Sequence, residues 1–275
     1  YSICAIYDRF IYRFAQLSLF ILAQQRNWNS TVNSKHLGKD TLYQLETYSP
    51  SFLDAVKRNS PKEAAIYFGH DYWNAYEFSY LNSKRQPVLE SLEIKIPMTS
   101  IHTVESKSLK LYLASFFNKK FNDPKKAYGL IAKDLSKLLK TDVSVKKKVR
   151  YQNAPKSILL NKSVKRIPKN KVIKFEGFRS ICPVTSQPDW ANIYFYSTSN
   201  AIEPKPLLKL LRSYRTRGDF HEACIESIFF SMIDDLDLED LTVYGRFLRR
   251  GGIDINPIRS MSRKILFQNF RDSTQ

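Results

Sequence analysis

Cysteine is scarce in this chain: three in 275 residues, at Cys4, Cys182 and Cys224. An odd set cannot pair completely and no Cys-x-x-Cys occurs, so neither a disulfide framework nor a zinc ribbon is indicated. The four histidines are scattered and form no ligand cluster. No Gly-x-Gly-x-x-Gly is present, so any dinucleotide must be held without a Rossmann fingerprint. Long apolar runs are lacking too. Phe10 to Ala23 is aromatic and aliphatic but too short to span a bilayer, and no small-x-small cleavage site follows it. Residues 1–35 are therefore expected to be an appendage outside the fold. Free thiols and the lack of a membrane span point to a reducing cytoplasm.

The remaining composition is that of a globular protein, 43% hydrophobic and 25% charged, long enough for one large domain or two small ones. The net charge of +18 favours anionic partners without choosing among nucleotides, nucleic acid and membrane surfaces. Eleven Lys or Arg and no acid fall between Val143 and Lys174. That stretch reads either as a solvated connector or as an RNA-binding strip, and its single aromatic residue, Tyr151, argues for the connector.

From about Asp71 the pattern is regular. Alternation predicts strands over Tyr72–Leu81 and Val88–Ile96, joined by a turn at Asn82-Ser83-Lys84. Helical spacing follows over Glu105–Phe117 and Pro124–Leu139, then short strands around Val143–Tyr151. The order recurs after the basic stretch, with strands near Val172–Arg179 and Ala191–Ser197 and helices at Pro204–Tyr214 and Phe220–Ile233. Further strands lie at Thr242–Leu248 and beyond Gly252. At an offset of 98, Lys107, Leu109, Leu113 and Ser115 become Lys205, Leu207, Leu211 and Ser213. A repeat of this size is a duplicated domain. Each half reads β-β-α-α-β-β, an α+β unit with a four-stranded antiparallel sheet and a helix pair on one face. Open sheet edges invite pairing between halves or chains, so an oligomeric barrel is expected. The expected organisation is an extension at 1–35, a first repeat at 36–150, a connector at 151–170 and a second repeat at 171–275.

Four constellations can carry chemistry. In Cys182-Pro183-Val184-Thr185-Ser186-Gln187-Pro188-Asp189, a thiol and a carboxylate stand seven residues apart. On a straight strand they would face opposite ways, but two prolines favour a rigid loop that brings them together, a nucleophile beside a proton donor. Phe220-His221-Glu222 opens a helix. Glu222 is either a helix-start carboxylate or an acceptor for paired N–H donors of a flat heterocycle such as guanine. Thr103-Val104-Glu105-Ser106-Lys107-Ser108 leads into another helix running to Phe116, where Ser106, Lys107 and Ser108 make either an anion site or the polar face of an amphipathic helix. Arg249-Arg250-Gly251-Gly252 is a phosphate grip or a basic hairpin turn.

Taken in order, Glu105-Ser106-Lys107-Ser108-Leu109-Lys110-Leu111-Tyr112-Leu113, Cys182 with Gln187-Pro188-Asp189-Trp190, Phe220-His221-Glu222 and Arg249-Arg250-Gly251-Gly252-Ile253-Asp254-Ile255-Asn256-Pro257 resemble the NADPH-dependent 7-cyano-7-deazaguanine reductases in their long, two-domain form. The resemblance runs from about Leu37 (Leu37-Gly38-Lys39) to the C-terminus. It implies two tandem tunnelling-fold repeats and four-electron reduction of a nitrile to an aminomethyl group, in queuosine tRNA modification. By the same resemblance Cys182 is the nucleophile that forms a thioimide and Asp189 the proton donor. His221 and Glu222 bind substrate, with Val104, Glu105 and Ser106 completing the pocket, and Ser106, Lys107, Arg250 and Gly251 hold NADPH. It further implies 7-cyano-7-deazaguanine as the small-molecule partner, a homodimer, no metal, no membrane and no direct tRNA binding. Two other readings predict different behaviour: a basic RNA-binding protein derived from this fold, and a related pterin or purine hydrolase, which would use zinc.

Overall fold

The structure is a computed structural model that describes residues 35, 47–59, 66–198, 202–236, 238 and 240–275, with the backbone alone at 235 and 236. The expected N-terminal appendage, Lys35 apart, and the Leu37-Gly38-Lys39 stretch lie outside the described residues. In chain order the elements are β1 (Ala55–Lys57), β2 (Phe68–Leu81), β3 (Pro87–Pro97), β4 (His102–Val104), α1 (Ser106–Ala114), α2 (Pro124–Leu139), β5 (Ser144–Lys147), β6 (Gln152–Asn153), β7 (Ile158–Leu159), β8 (Ile173–Ile181), β9 (Pro188–Tyr196), α3 (Pro204–Ser213), α4 (His221–Leu236), β10 (Thr242–Phe247), β11 (Ile253–Ser260) and β12 (Phe270–Arg271). The architecture is α+β. No helix among the described residues is long and apolar enough to cross a membrane.

Local chemistry accounts for the element ends. In the turn after β2, the Asn82 side-chain oxygen accepts from the amides of Lys84 (2.9 Å) and Gln86 (3.0 Å). Helix α2 starts at Pro124, whose missing N–H costs nothing in the first turn, behind an Asp123 cap that accepts from the Lys125 amide. It buries Ala127, Ile131, Leu135 and Leu139 along one face, and each larger aliphatic contributes about 1.5–3 kcal/mol. It stops where Lys140 turns left-handed.

Eight strands form one sheet in the order β5-β3-β2-β11-β10-β9-β8-β7. The second half supplies the expected four antiparallel strands, β8 to β11, around α3 and α4. The first half differs: among its described residues, β2, β3 and β5 alone enter the sheet. Beyond Lys148 the chain has the exposed Val149 and then Arg150, without the alternation a fourth strand needs. It leaves the sheet, and β6 pairs instead with β12.

The two halves join edge to edge through β2 and β11, from Ala75 opposite Ile253 to Phe68 opposite Ser260. Gly69 lies in this seam, where a Cβ would stand 2.1 Å from the Ile258 carbonyl oxygen, so no larger residue fits without separating the strands. Both helix pairs pack on one face of the sheet. Trp73, Leu92, Ile94 and Ile255 meet α1 and α2, while Ile193, Phe195 and Val243 meet α3 and α4. The C-terminal segment covers the opposite face. There Asn269 joins Asn74, Glu93 and Arg246, and Asp272 accepts from Asn192.

The basic stretch is partly structural. Lys147 pairs with Glu90, Lys146 and Lys148 pair with Glu93, and Lys174 pairs with Glu176 and Asp272. Leu160 and Ile167 are buried in the second core, and β7 extends the sheet alongside β8.

Candidate functional site

The Cys182 loop is a β-hairpin tip. Strands β8 and β9 pair with Ser180 opposite Asp189, and the Cys182 amide donates to the Gln187 carbonyl at 2.8 Å. Ser186 takes a left-handed conformation (φ 56°) that closes the turn between the two prolines. Ser180 and Asp189 face the same side across the ladder, and Cys182 follows directly beyond the end of β8. The hairpin therefore gathers the two groups that a single strand would separate.

Asp189 is 4% exposed and doubly engaged. His221 Nε2 lies 3.3 Å from one carboxylate oxygen, and Arg250 pairs with the other while also donating to the Gln187 side chain. Burial pushes the Asp189 carboxyl up, but His221 and the Arg250 guanidinium outweigh it and hold it below the usual carboxylate range. The His221 ring stacks on Phe247, with centroids 4.0 Å apart, which fixes its plane.

Glu222 follows in the first turn of α4, 5% exposed, and accepts a hydrogen bond from the Thr103 hydroxyl at 2.7 Å. Thr103 and the buried Val104 end β4, directly before α1. There the expectation of an open anion site needs correction. The Glu105 side chain caps its own helix, accepting from the amides of Lys107 and Ser108 at 2.7 Å each. The amides that would have gripped a phosphate are already taken by this carboxylate. What α1 offers a ligand is the Ser106 hydroxyl and the ammonium groups of Lys107 and Lys110.

The parts converge on one cavity of about 220 Å³ between the two halves of the chain. Cys182, Asp189, His221, Glu222, Val104, Glu105, Ser106, Lys107 and Arg250 all line it; Gly251 does not. Gly251 sits beside it with φ 54°, where a Cβ would fall 3.0 Å from the Lys110 ammonium nitrogen. The volume is below the roughly 300–1,000 Å³ of sites for drug-sized ligands and suits one flat heterocycle. Lys107, Lys110 and Arg250 add three cationic groups to the cavity wall, the chemistry that holds the phosphates of a dinucleotide. Among the described residues, no group of three His, Cys, Asp or Glu side chains is placed to hold a metal ion.

Among the cavity residues that take no role from the sequence are Thr103, Trp73 and Lys110. Thr103 is uncharged and Trp73 reads as core. Lys110 had a usable signal: it lies one turn beyond Ser106 and three residues after Lys107, on the same helix face. Burial, and next the charge of Arg250, depress its ammonium pKa.

A sequence family described as "Nitrile reductase, 7-cyano-7-deazaguanine-reductase N-term" matches residues 43–147, and one described as "QueF-like protein" matches residues 188–265. A protein named NADPH-dependent 7-cyano-7-deazaguanine reductase from Coxiella burnetii is 36% identical over 267 residues, covering 87% of this chain and 96% of that protein. Proteins of the same name from Hahella chejuensis (36% identical, 82% of this chain and 92% of that protein) and Burkholderia vietnamiensis (32%, 89% and 100%) are also similar.

Proposed function

Because this chain belongs to the family of NADPH-dependent 7-cyano-7-deazaguanine reductases, we propose that its cavity reduces the nitrile of 7-cyano-7-deazaguanine to an aminomethyl group, in queuosine tRNA modification. The observation that carries this reading is the gathering of a thiol, a buried carboxylate, a helix-start Glu and three cationic side chains on one cavity.

A nitrile carbon accepts hydride poorly, and addition of sulfur makes it a better acceptor. The Cys182 thiol adds to that carbon and forms the S–C bond of a thioimide. Asp189, held ionised beside Arg250 and His221, takes the thiol proton and passes it to the nitrile nitrogen. The expected donor thus acts first as a base. NADPH, held by Ser106, Lys107, Lys110 and Arg250 with Gly251 giving close approach, supplies two hydrides when bound. After the first hydride and a proton, the S–C bond breaks, the Cys182 thiol is restored and an imine remains. The second hydride and proton complete the amine.

Glu222 accepts from the amino and pyrrole N–H edge, and an analogue lacking those groups would leave its buried carboxylate unpaired. Val104, Glu105, Ser106 and His221 enclose the ring. The two halves are tandem tunnelling-fold repeats, and the outer strands β5 and β7 are the edges through which a homodimer would close its barrel.

Intact-mass analysis with the nitrile tests this directly. Native protein should gain the mass of one substrate, and adding NADPH should discharge the adduct with about two NADPH consumed per nitrile, the stoichiometry of a four-electron reduction. Cys182→Ala should gain no mass. A full adduct in Cys182→Ala would overturn the assignment.

A further inference from the structure

The hydrogen bond from Thr103 to Glu222 spans 119 positions and joins the first half of the chain to the second at the cavity wall. A hydroxyl that donates to one carboxylate oxygen fixes the carboxylate plane and leaves lone pairs on the other oxygen for a second donor. Thr103 is itself held firmly. It is β-branched, with restricted side-chain rotation, 5% exposed, and paired opposite Val56 in the β1–β4 ladder.

Both ends of this contact are anchored in one buried frame of charges. Next to Thr103, the His102 carbonyl accepts from Arg58 Nε at 3.3 Å. Arg58 pairs with Asp71 on β2, and Asp71 pairs with Arg259 on β11 at 2.8 Å. Arg259 pairs with Glu226 at 3.1 Å. Glu226 lies one turn beyond Glu222 on the same face of α4. Helix α4 thus carries the frame back to Glu222, closing a loop that passes twice between the two halves of the chain. The side chains of Asp71 and Arg259 in this frame have no solvent exposure.

We propose that Thr103 is a positioning residue for substrate selection: its hydroxyl aims the Glu222 carboxylate at the N–H edge of the heterocycle. It thereby sets discrimination against analogues that lack the exocyclic amino group. The inference rests on the reading of Glu222 given above and adds a residue outside the sequence motifs' chemistry.

The test compares kcat and KM for 7-cyano-7-deazaguanine and its analogue without the exocyclic amino group, in native protein, Thr103→Val, Thr103→Ser and Glu222→Gln. Thr103→Val keeps the shape and removes the donor. It should raise KM for the natural substrate more than it lowers kcat, and shrink the discrimination ratio about tenfold, the worth of one hydrogen bond to a charged group. Thr103→Ser should restore the ratio, which a purely structural role would not predict. Should Thr103→Val not fold, Thr103→Ala removes the same donor, and thioimide formation by intact mass reports an assembled site. The proposal is overturned if Glu222→Gln collapses the ratio while Thr103→Val or Thr103→Ala preserves it. A ratio unchanged even in Glu222→Gln overturns the reading of Glu222 as well.

Discussion

Arg250 binds Asp189. Its guanidinium spans the Asp189 carboxylate and the Gln187 side-chain oxygen, so the residue proposed to hold the cofactor is engaged with the proposed acid–base group. The same cation cannot serve Asp189 fully and a cofactor phosphate at once. On that proposal, cofactor binding and the proton affinity of Asp189 are linked.

Removing that cation should shift a pH profile. In Arg250→Gln, burial would raise the Asp189 carboxyl with only His221 opposing it. The acid limb of thioimide formation, measured without NADPH, should move to higher pH than in native protein. Identical limbs would show that Arg250 does not set the charge of Asp189. The sign for stability follows as well. Asp189 titrates below its unfolded value, so its pairing stabilises the fold above that value, and the contribution is lost as pH falls through the folded one.

Lys110 should matter to the cofactor and not to the adduct. Lys110→Met keeps the aliphatic stem and removes the charge. It should raise KM for NADPH about tenfold, the weight of one charge-assisted contact, while thioimide formation by intact mass is unaffected. Loss of adduct formation would instead make Lys110 part of the substrate site.

The charge frame at the seam should dominate stability. Asp71 sits between Arg259 and Arg58. Burial raises its pKa, but the two guanidinium groups prevail and hold it low. Arg259→Gln leaves Glu226 buried without its cation and Asp71 with Arg58 alone, and should destabilise by about 3–5 kcal/mol in urea unfolding. Replacement of a buried pair by apolar residues is a different experiment, and its cost is far smaller.

Asp219 makes a pH prediction of the opposite sign. Its segment is tied to the hairpin base by the Asp219 amide donating to the Ile181 carbonyl at 3.0 Å. Burial pushes its carboxyl up to about 7 despite Arg217 beside it. The native state thus binds a proton more tightly than the unfolded chain, and stability falls as pH rises from about 4 toward that value. Asp219→Asn should flatten this dependence, by one to a few kcal/mol at about 1.4 kcal/mol for each pKa unit. Parallel urea midpoints against pH in the two proteins would refute it.

Where periodicity and end signals agree, the sequence reads closely. Helix α2 runs from Pro124 to Leu139 as its spacing predicts, because an Asp-Pro start and a strict apolar face leave one register. The Cys182 hairpin was legible for a similar reason, as two prolines bracket a short polar tip. The capping role of Glu105 was not, although the residue was singled out. A carboxylate before a helix can cap it or receive a ligand, and the side-chain rotamer that brings it to two amides at 2.7 Å decides between them. The pairing of Arg250 with Asp189 joins residues 61 apart on different loops, and no local pattern encodes it.

The sequence by itself determined the four long helices, the long strands and the candidate reactive side chains, since these follow from spacing, propensity and residue chemistry. The tertiary structure decided how the set becomes a site. Edge pairing of β2 with β11 sets α1 and α4 on one face, so Glu105 to Lys110 meet His221 and Glu222 across a single cavity. That pairing depends on which sheet edges remain free and how closely two backbones can approach at Gly69, and both are properties of the packed chain.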